Sequence, residues 1–383
     1  MKKNKPYHIN REKYKKCKEG DVIKKVGQVL LICFSLILIT GCVKENNSND
    51  SNPKKEIYVS NYTFETRTSE VLVLDEDLNF LNKLKPKGGM YLDSDDTEGA
   101  IYSYGSDRTI AKINVKNKKV ENINLNEGII KKIERINNST WAVDGGYFYG
   151  DNMYKFNIMN LDTNEKYDYD GLPMYCSHKD NYIYIVIYTI DKPSVELLAF
   201  NTDNGLHERV KVKDIDNLIN STSFKVLALE NYILLIDEEN FDLYKLSYHS
   251  LDNVENAGNL SDYNIPIASR DNMLIQIYQF DVRLDEENLL IGINDGNSAK
   301  LLKINTIDNK IEEILRGEGN NFAYVSKPVV DGDYIYISFI KAGDVSTISK
   351  YNWKTGELIK KATLGDYFDK KSQIGNLTMY KGE

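Results

Sequence analysis

One pattern repeats about seven times along most of the sequence, and this repetition constrains the fold more than any other feature. The clearest copy runs from Val329 to Leu364. Within it, Tyr334 to Phe339 alternates apolar and polar residues, a period that predicts a half-buried strand. Further strand patterns follow at Ser346 to Asn352 and Glu357 to Leu364, separated by a Lys-Thr-Gly turn. With Tyr324 to Val330 upstream, one repeat predicts a meander of four antiparallel strands, which we label A to D in chain order, from the inner strand to the outer one.

Seven hairpins of this kind can be aligned along the chain. Their turns are rich in Asn and Asp, as at Asn201 to Gly205 and Asn305 to Asn309. They recur about every 46 residues, which is within the range of propeller blades. The hairpins span 72–81, 111–125, 155–170, 197–212, 243–260, 301–316 and 348–364. The sequence therefore predicts an all-β fold, a seven-bladed β-propeller of four-stranded antiparallel blades.

The two ends of the repeat array complement each other. Glu56 to Tyr62 has the pattern of a second strand with no first strand before it, whereas Gln373 to Lys381 has the pattern of a first strand with no second strand after it. A closed ring leaves no sheet edge open to other chains. We therefore expect the C-terminal strand to join the N-terminal blade, beside Glu56 to Tyr62.

The first 41 residues do not belong to the repeats. A basic segment ends at Lys25, and an apolar run from Val29 to Ile39 leads into Thr40-Gly41-Cys42. This arrangement resembles a bacterial lipoprotein signal, in which small residues precede the cysteine that receives the lipid. We expect residues 1–41 to be a signal peptide and Cys42 to be the site of lipid attachment. An uncleaved signal anchor is the alternative, and its basic flank would place the domain on the same, extracytoplasmic side of the cell membrane.

The segment between Cys42 and the repeats is polar and rich in Asn. Because it contains too few apolar residues to form a core, we expect residues 42–55 to be a disordered tether. The propeller would then occupy residues 56–383 and contact the membrane only through its lipid. The predicted location is the cell membrane, with the domain lipid-anchored on the extracytoplasmic face.

The charge of the expected mature chain argues against a nucleic-acid partner. The sequence has 49 Lys and Arg and 57 Asp and Glu, of which the first 41 residues hold ten and three, so that 39 and 54 remain. The resulting net charge of −15, with His neutral, repels phosphate backbones and anionic headgroups. We therefore predict no nucleic-acid partner.

The turn motifs also carry a resemblance to a known family. Tyr351 to Glu357 (YNWKTGE) and Phe200 to Gly205 (FNTDNG) resemble the repeats of YVTN and quinoprotein-type bacterial propellers. The resemblance covers nearly all of the expected mature chain. It implies a broad group of secreted or lipid-anchored propellers that includes enzymes and binding platforms. Because the motif residues form turns and do no chemistry, the resemblance does not imply one function.

Carboxylates near the starts of successive inner strands are the first candidate site. In a propeller these strand starts gather at one end of the central channel, so several carboxylates could form a ring there. Such a ring would attract Ca²⁺, whose preferred ligands are oxygens, or a basic peptide. The alternative is that they are solvated loop residues. The carboxylates are Glu127, Asp170, Asp216, Asp262, Glu318 and Asp366, and the predicted metal ligands among them are Glu127, Asp170, Asp216 and Glu318.

An aromatic group around Gly145-Gly146 is the second candidate. Trp141, Tyr147 and Tyr149 flank these glycines at the end of the second strand of blade three. Exposed tyrosine faces beside glycines would suit a sugar or a peptide. The alternative is that these residues pack between blades or form a bulge.

The sequence offers little support for catalysis. Three His remain in the expected mature chain, and His178, His207 and His249 fall at an A–B turn, a D-strand start and a C–D turn, away from the predicted ligand end. The lone domain cysteine, Cys176, cannot form the vicinal pair of quinone-dependent propellers. We therefore predict a binding or scaffolding propeller for a peptide, protein or envelope glycan, without a cofactor unless Ca²⁺ binds, and monomeric. A metal-dependent, lactonase-like hydrolase of the same fold is the alternative.

Overall fold

The computed structural model describes most of the repeat region. The described residues are 54–63, 68–96, 98–105, 108–125, 129–145, 147–149, 153–189, 194–214, 224–238, 241–263, 275–295, 298–308, 310–317, 322–341, 344–368 and 373–382. They belong to one compact unit, Asn52–Glu383. In these ranges no helix is long and apolar enough to cross a membrane. The predicted signal peptide, lipidated Cys42 and most of the tether lie outside the described residues.

The strands follow one another in the predicted A, B, C, D order. Blade 1 contains β1 (Glu56–Thr63), β2 (Thr68–Asp75) and β3 (Phe80–Leu84); blade 2 contains β4 (Tyr91–Asp95), β5 (Ala100–Tyr104), β6 (Thr109–Asn114) and β7 (Val120–Asn124). Blade 3 contains β8 (Ile130–Ile136), β9 (Ser139–Asp144), β10 (Tyr147–Tyr149), β11 (Met153–Asn160) and β12 (Lys166–Asp170). Blade 4 contains β13 (Leu172–Lys179), β14 (Tyr182–Thr189), β15 (Ser194–Asn201) and β16 (His207–Asp214).

The second half of the ring repeats this order. Blade 5 contains β17 (Phe224–Ala228), β18 (Tyr232–Asp237), β19 (Asp242–Ser247) and β20 (Ser250–Asn259), which a 3-10 turn follows at Leu260–Tyr263. Blade 6 contains β21 (Ile275–Arg283), β22 (Asn288–Asp295), β23 (Ala299–Asn305) and β24 (Ile311–Arg316). Blade 7 contains β25 (Phe322–Val325), β26 (Val329–Asp331), β27 (Tyr334–Ile337), β28 (Phe339–Lys341), β29 (Thr347–Asn352) and β30 (Glu357–Thr363), and β31 (Gln373–Tyr380) is the last strand.

The ring closes through blade 1, as the sequence predicts. Its sheet has the order β3-β2-β1-β31, so the C-terminal strand is the inner strand of the N-terminal blade. The antiparallel register pairs Glu56 with Tyr380 and Tyr62 with Gln373, with one irregularity between Val59 and Asn61. The predicted all-β, seven-bladed propeller, closed by its C-terminal strand, is confirmed.

Two blades depart from the simple meander. In blade 3 the B strand is interrupted after Asp144 and resumes as β10, since β9 and β10 both pair with β11. In blade 7 both the A and the B strands are split, and β25 pairs with β28 apart from the main sheet of β26, β27, β29 and β30. Ser326 and Ser338 lie at these splits and connect the two strands there: the Ser326 amide donates to the Ser338 carbonyl at 3.0 Å, and the Ser338 amide donates to the Ser326 hydroxyl at 2.9 Å.

Apolar clusters hold neighbouring blades face to face. Ile57 and Leu72 of blade 1 pack with Tyr336 and Ile348 of blade 7, and all four are completely buried. Comparable clusters join blades 1 and 2, 2 and 3, 3 and 4, 4 and 5, 5 and 6, and 6 and 7. Cys176 is buried in the cluster between blades 3 and 4, as expected for a core residue. The core is therefore a ring of interfaces around a central channel.

Candidate functional site: the central channel

The inner strands enclose a channel of about 630 Å³. Its wall combines residues of six inner strands, because each blade presents one face of its A strand to the axis. Representative wall residues are Ser94 of β4, His178 of β13, Ala228 of β17, Val282 of β21, Val329 of β26 and Leu377 of β31. The lining is both polar and apolar, which suits an extended ligand with mixed side chains better than a purely apolar one.

Four tyrosines on inner strands form what we call the tyrosine belt: Tyr91, Tyr175, Tyr278 and Tyr324. Burial, and next the proximity of Tyr175, raise the pKa of the Tyr91 hydroxyl. Burial, and next the proximity of Tyr278, likewise raise the pKa of Tyr324. The four tyrosines thus lie on the inner strands of four different blades, and none of them is among the residues that line the cavity of about 630 Å³.

A lysine on the far side of blade 1 reaches the carboxylate of Asp93. Lys327, which follows β25 in blade 7, forms an ion pair with Asp93 of β4 in blade 2. Tyr104 is completely enclosed and donates its hydroxyl hydrogen bond to the same carboxylate. Burial and the charge of Asp93 raise the pKa of the Tyr104 hydroxyl well above its ordinary value. The ion pair thus links blades 2 and 7 across the inner strand of blade 1.

A second charged group lies where blades 3 and 4 meet. The Lys132 ammonium lies 2.9 Å from Glu134 Oε1, and His178 Nδ1 lies 3.1 Å from Glu134 Oε2. Burial pushes the pKa of the Glu134 carboxyl upward, but the charges and hydrogen bonds of Lys132 and His178 outweigh it and hold the pKa well below its ordinary value. Glu134 is therefore a carboxylate at neutral pH, bound on both sides by nitrogen donors.

Lys225 provides a third buried charge. Its side chain is 3% exposed, and its ammonium lies 3.2 Å from Glu238 Oε1. The same ammonium lies 3.3 Å from the centroid of the Tyr175 ring, close enough for a strong cation–π interaction. One belt tyrosine is therefore covered by a lysine from the neighbouring inner strand.

The three carboxylates described above are thus engaged with cations. Asp93, Glu134 and Glu238 each form an ion pair with a lysine. Within the described ranges, no three His, Cys, Asp or Glu side chains converge so that they could hold a metal ion.

The predicted carboxylate ring is only partly covered by the structure. Glu127, Asp216 and Glu318 lie outside the described residues. Asp170 ends β12 and is exposed, just before β13 begins. Asp262 and Asp366 are also exposed, and Asp262 Oδ2 accepts a hydrogen bond from the Asn259 amide at 2.9 Å. The Ca²⁺ site therefore stays a prediction.

Trp141, from the predicted aromatic site, lies in the core. It is 3% exposed, and its ring centroid lies 5.5 Å from that of Phe200 and 6.4 Å from that of Tyr167. Packing between blades 3 and 4, the alternative considered from the sequence, accounts for this residue. Tyr147 and Tyr149 lie on β10, and their side chains are outside the described part of the structure. The predicted ligand contact at this loop therefore now involves only Tyr147 and Tyr149, and it stays a prediction.

His207 and His249 lie where the sequence places them, whereas His178, expected in an A–B turn, lies within a strand. His178 is next to the last residue of β13, His207 begins β16, and His249 lies in the turn between β19 and β20. However, sequence reasoning missed that His178 belongs to the channel wall and pairs with Glu134. The signal was present in the alternation of β4 and β8, where Tyr91, Asp93, Lys132 and Glu134 occupy every second position.

The comparisons with known proteins support the fold. No protein-family model matches the sequence, and no curated protein matches it either. Among solved structures, apo AztD from Citrobacter koseri is similar at 12% identity and a TM-score of 0.53, over 86% of this chain and 99% of that one. A functionally unknown protein from Desulfotomaculum acetoxidans is similar at 10% identity and a TM-score of 0.53, over 84% and 98%. These similarities show the propeller fold alone.

A third solved structure extends the range of proteins that share this fold. The acylaminoacyl peptidase of Pyrococcus horikoshii is similar at 15% identity and a TM-score of 0.54. The similarity covers 82% of this chain but 51% of the peptidase. At such low identity it carries no information on activity.

Proposed function

We propose that the protein is a lipid-anchored, extracytoplasmic binding propeller that takes a segment of a polypeptide at its central channel. The lining of the channel carries this proposal. Charges of both signs and apolar side chains lie together there, the belt tyrosines lie on the same ring of inner strands, and this combination is typical of surfaces that recognise proteins. The ring closes through β31 and has no open end that a second copy would have to cover, so we expect the protein to act as a monomer.

A polypeptide fits the channel better than the envelope glycan that the sequence also suggested. A sugar ring needs an open aromatic face. The ring of Tyr175 has the Lys225 ammonium 3.3 Å from its centroid, so this face is covered. A peptide can instead use the tyrosine hydroxyls and the channel carboxylates for hydrogen bonds.

The membrane anchor rests on Thr40-Gly41-Cys42. Cells that express the full-length protein should incorporate labelled palmitate, and Cys42→Ala should abolish the label. Cys176→Ala, which changes the buried cysteine of the domain, is the matched control and should keep the label. Label that persists in Cys42→Ala would refute the anchor.

Photo-crosslinking from the channel tests the polypeptide ligand. With p-benzoylphenylalanine in place of Tyr324, the full-length protein in its own cells should give an adduct that protease digestion shortens and mass spectrometry sequences. The control position is Leu358, which is exposed on an outer strand. No adduct beyond that of the control, or an adduct that glycosidases remove, would contradict the proposal.

The hydrolase alternative has its own test. Thermal unfolding after chelation should be the same with and without Ca²⁺, Mg²⁺ or Mn²⁺ if no cation binds the native state. A large stabilisation by one cation would instead favour the carboxylate ring and a metal-dependent activity.

A further inference from the structure

A cleft of about 590 Å³ opens between blades 4 and 5, on the side of the A–B turns. Tyr182 and Tyr184 of β14 line it together with Tyr248 of the neighbouring blade. The Tyr184 ring lies 6.0 Å from Tyr182, nearly parallel to it, and 5.5 Å from Tyr248. Three aromatic rings therefore share one accessible cleft, which is separate from the tyrosine belt.

Blades 2 and 7 show which side chain lies across the sheet from the tyrosine that is equivalent to Tyr184. In blade 2, Tyr102 pairs across the sheet with Lys112, whose ammonium lies 5.6 Å from the centre of the Tyr102 ring. In blade 7, Tyr336 pairs with Lys350, whose ammonium lies 5.3 Å from the Tyr336 ring. In both of these blades the cross-strand lysine therefore places its ammonium over the B-strand tyrosine.

Blade 4 has the tyrosine but an alanine opposite it. Tyr184 pairs with Ala199 in the same register, so a methyl group stands where blades 2 and 7 have a lysine side chain. Ala199 lines the cleft. Tyr184 and Ala199 border the cleft with 5% and 4% of their surface exposed, so blade 4 has no lysine opposite Tyr184 at this inner boundary of the cleft.

Blade 4 also has a carboxylate at the position that pairs with the lysine in blade 2. In blade 2, Lys112 forms an ion pair with Glu98, which precedes β5 by two residues. Asp180 precedes β14 by the same two residues and lines the cleft. Burial, then Tyr182 and then Asp180 raise the pKa of the Tyr184 hydroxyl, which indicates that the Asp180 charge lies near the ring.

The remaining charges of the cleft favour a cation as well. Lys179 donates to the Glu230 carbonyl at 2.8 Å and lies 3.0 Å from Glu230 Oε2, so these two charges compensate each other. Asp180 and Glu208 are the other carboxylates of the lining, and His207 and His249 are its remaining titratable bases. Near neutral pH the cleft is therefore acidic and aromatic, a combination that binds organic cations.

We infer that this cleft binds an alkylammonium group from outside the chain, seated over Tyr184 and paired with Asp180. The alkyl chain would occupy the space beside Ala199, as the lysine methylenes do in the sister blades. A lysine side chain of a polypeptide and a free aliphatic amine share this chemistry. Asp180 lines both cavities, but Tyr184, Ala199 and Tyr248 line only the cleft, so the test with Ala199→Lys does not depend on the function proposed above.

Ligand-observed saturation-transfer NMR on the intact domain tests the inference, with pentylammonium as the probe and pentanol as its neutral counterpart. We expect pentylammonium to bind with a dissociation constant on the order of millimolar and pentanol to bind at least tenfold more weakly. Asp180→Asn should weaken pentylammonium about fivefold, the effect of one exposed ion pair. Equal binding of the two probes, or no binding of pentylammonium at tens of millimolar, would overturn the inference.

Ala199→Lys is the decisive variant, because it restores the lysine of the sister blades. It should abolish pentylammonium binding, whereas Asn253→Lys, on β20 and outside the cleft lining, should leave binding unchanged. Both variants should unfold at temperatures close to that of the wild type, which separates loss of the site from loss of the fold. Unchanged binding to folded Ala199→Lys would place the amine elsewhere and contradict the assignment.

A third probe distinguishes the two possible ligands, a lysine side chain of a polypeptide and a free amine. A capped Gly-Lys-Gly peptide that binds at least tenfold more tightly than pentylammonium would assign the cleft to a polypeptide lysine. Equal affinities would assign it to a free amine. Either result supports an alkylammonium site, and failure of both ligands to bind refutes it.

Discussion

At the scale of single residues, charge pairing in the channel is the most informative feature. Glu134 is held between Lys132 and His178, and its side chain is 14% exposed. A buried carboxylate with two nitrogen partners stabilises the native state only while it is ionised. The channel wall should therefore be sensitive to acid in a way that a surface ion pair is not.

Glu134→Gln should lower the free energy of unfolding by about 1–2 kcal/mol at neutral pH, since it leaves the half-buried Lys132 ammonium without its counter-charge. The folded pKa of Glu134 lies below its ordinary value of 4.5, so the wild-type advantage is complete above pH 4.5 and declines as the pH falls below it. Urea unfolding of both proteins at several pH values measures this difference. A difference in the free energy of unfolding that stays constant down to the lowest pH at which both proteins fold would contradict the assigned ion pair. Glu357→Gln, on an exposed outer strand, is the control.

At the scale of elements, the C–D turns explain why the repeat can be recognised from the sequence. Asn201, Asn305 and Asn352 end their C strands and accept backbone hydrogen bonds within the following turn. Gly205 and Gly356 then adopt positive φ angles of 69° and 72°. The turn needs an Asn side chain as hydrogen-bond acceptor and a Gly for the positive φ angle. Because these needs are the same in the blades named, the same residue types recur in the sequence.

The two glycines differ in their surroundings and should respond differently to alanine. Gly356→Ala meets nothing within 4 Å and should cost about 1 kcal/mol from the backbone conformation alone. Gly205→Ala would place its Cβ 2.5 Å from Cε1 of Tyr167, so it should be clearly more destabilising. Thermal unfolding of the two variants measures the difference, and equal losses would show that Tyr167 moves aside freely.

Local features of the fold could be predicted from the sequence, whereas contacts between distant parts of the chain could not. Turn residues and strand alternation are local, so they predict the blades, their order and the closing strand. The partners of Asp93, Tyr91 and Lys225 lie on other blades, and their meeting depends on how the ring closes. Trp141 illustrates the limit, because an aromatic residue beside glycines looks the same in a sequence whether it faces a ligand or Phe200.

At the scale of the whole molecule, the ring depends on one strand. β31 supplies the inner strand of blade 1, and Ile374, Leu377 and Met379 on it are buried between blades 7 and 1. Each such side chain contributes roughly 1.5–3 kcal/mol by burial. Their sum is comparable with the whole stability of an ordinary domain, about 5–15 kcal/mol.

Deletion of residues 373–383 tests the closed ring most directly. The truncated domain should lose cooperative thermal unfolding, because blade 1 would lack its inner strand and blade 7 would lose part of its packing surface. Deletion of residues 381–383 alone is the matched control and should leave the unfolding temperature unchanged. A protein truncated at residue 372 that still unfolds cooperatively at the wild-type temperature would contradict the closed seven-bladed ring.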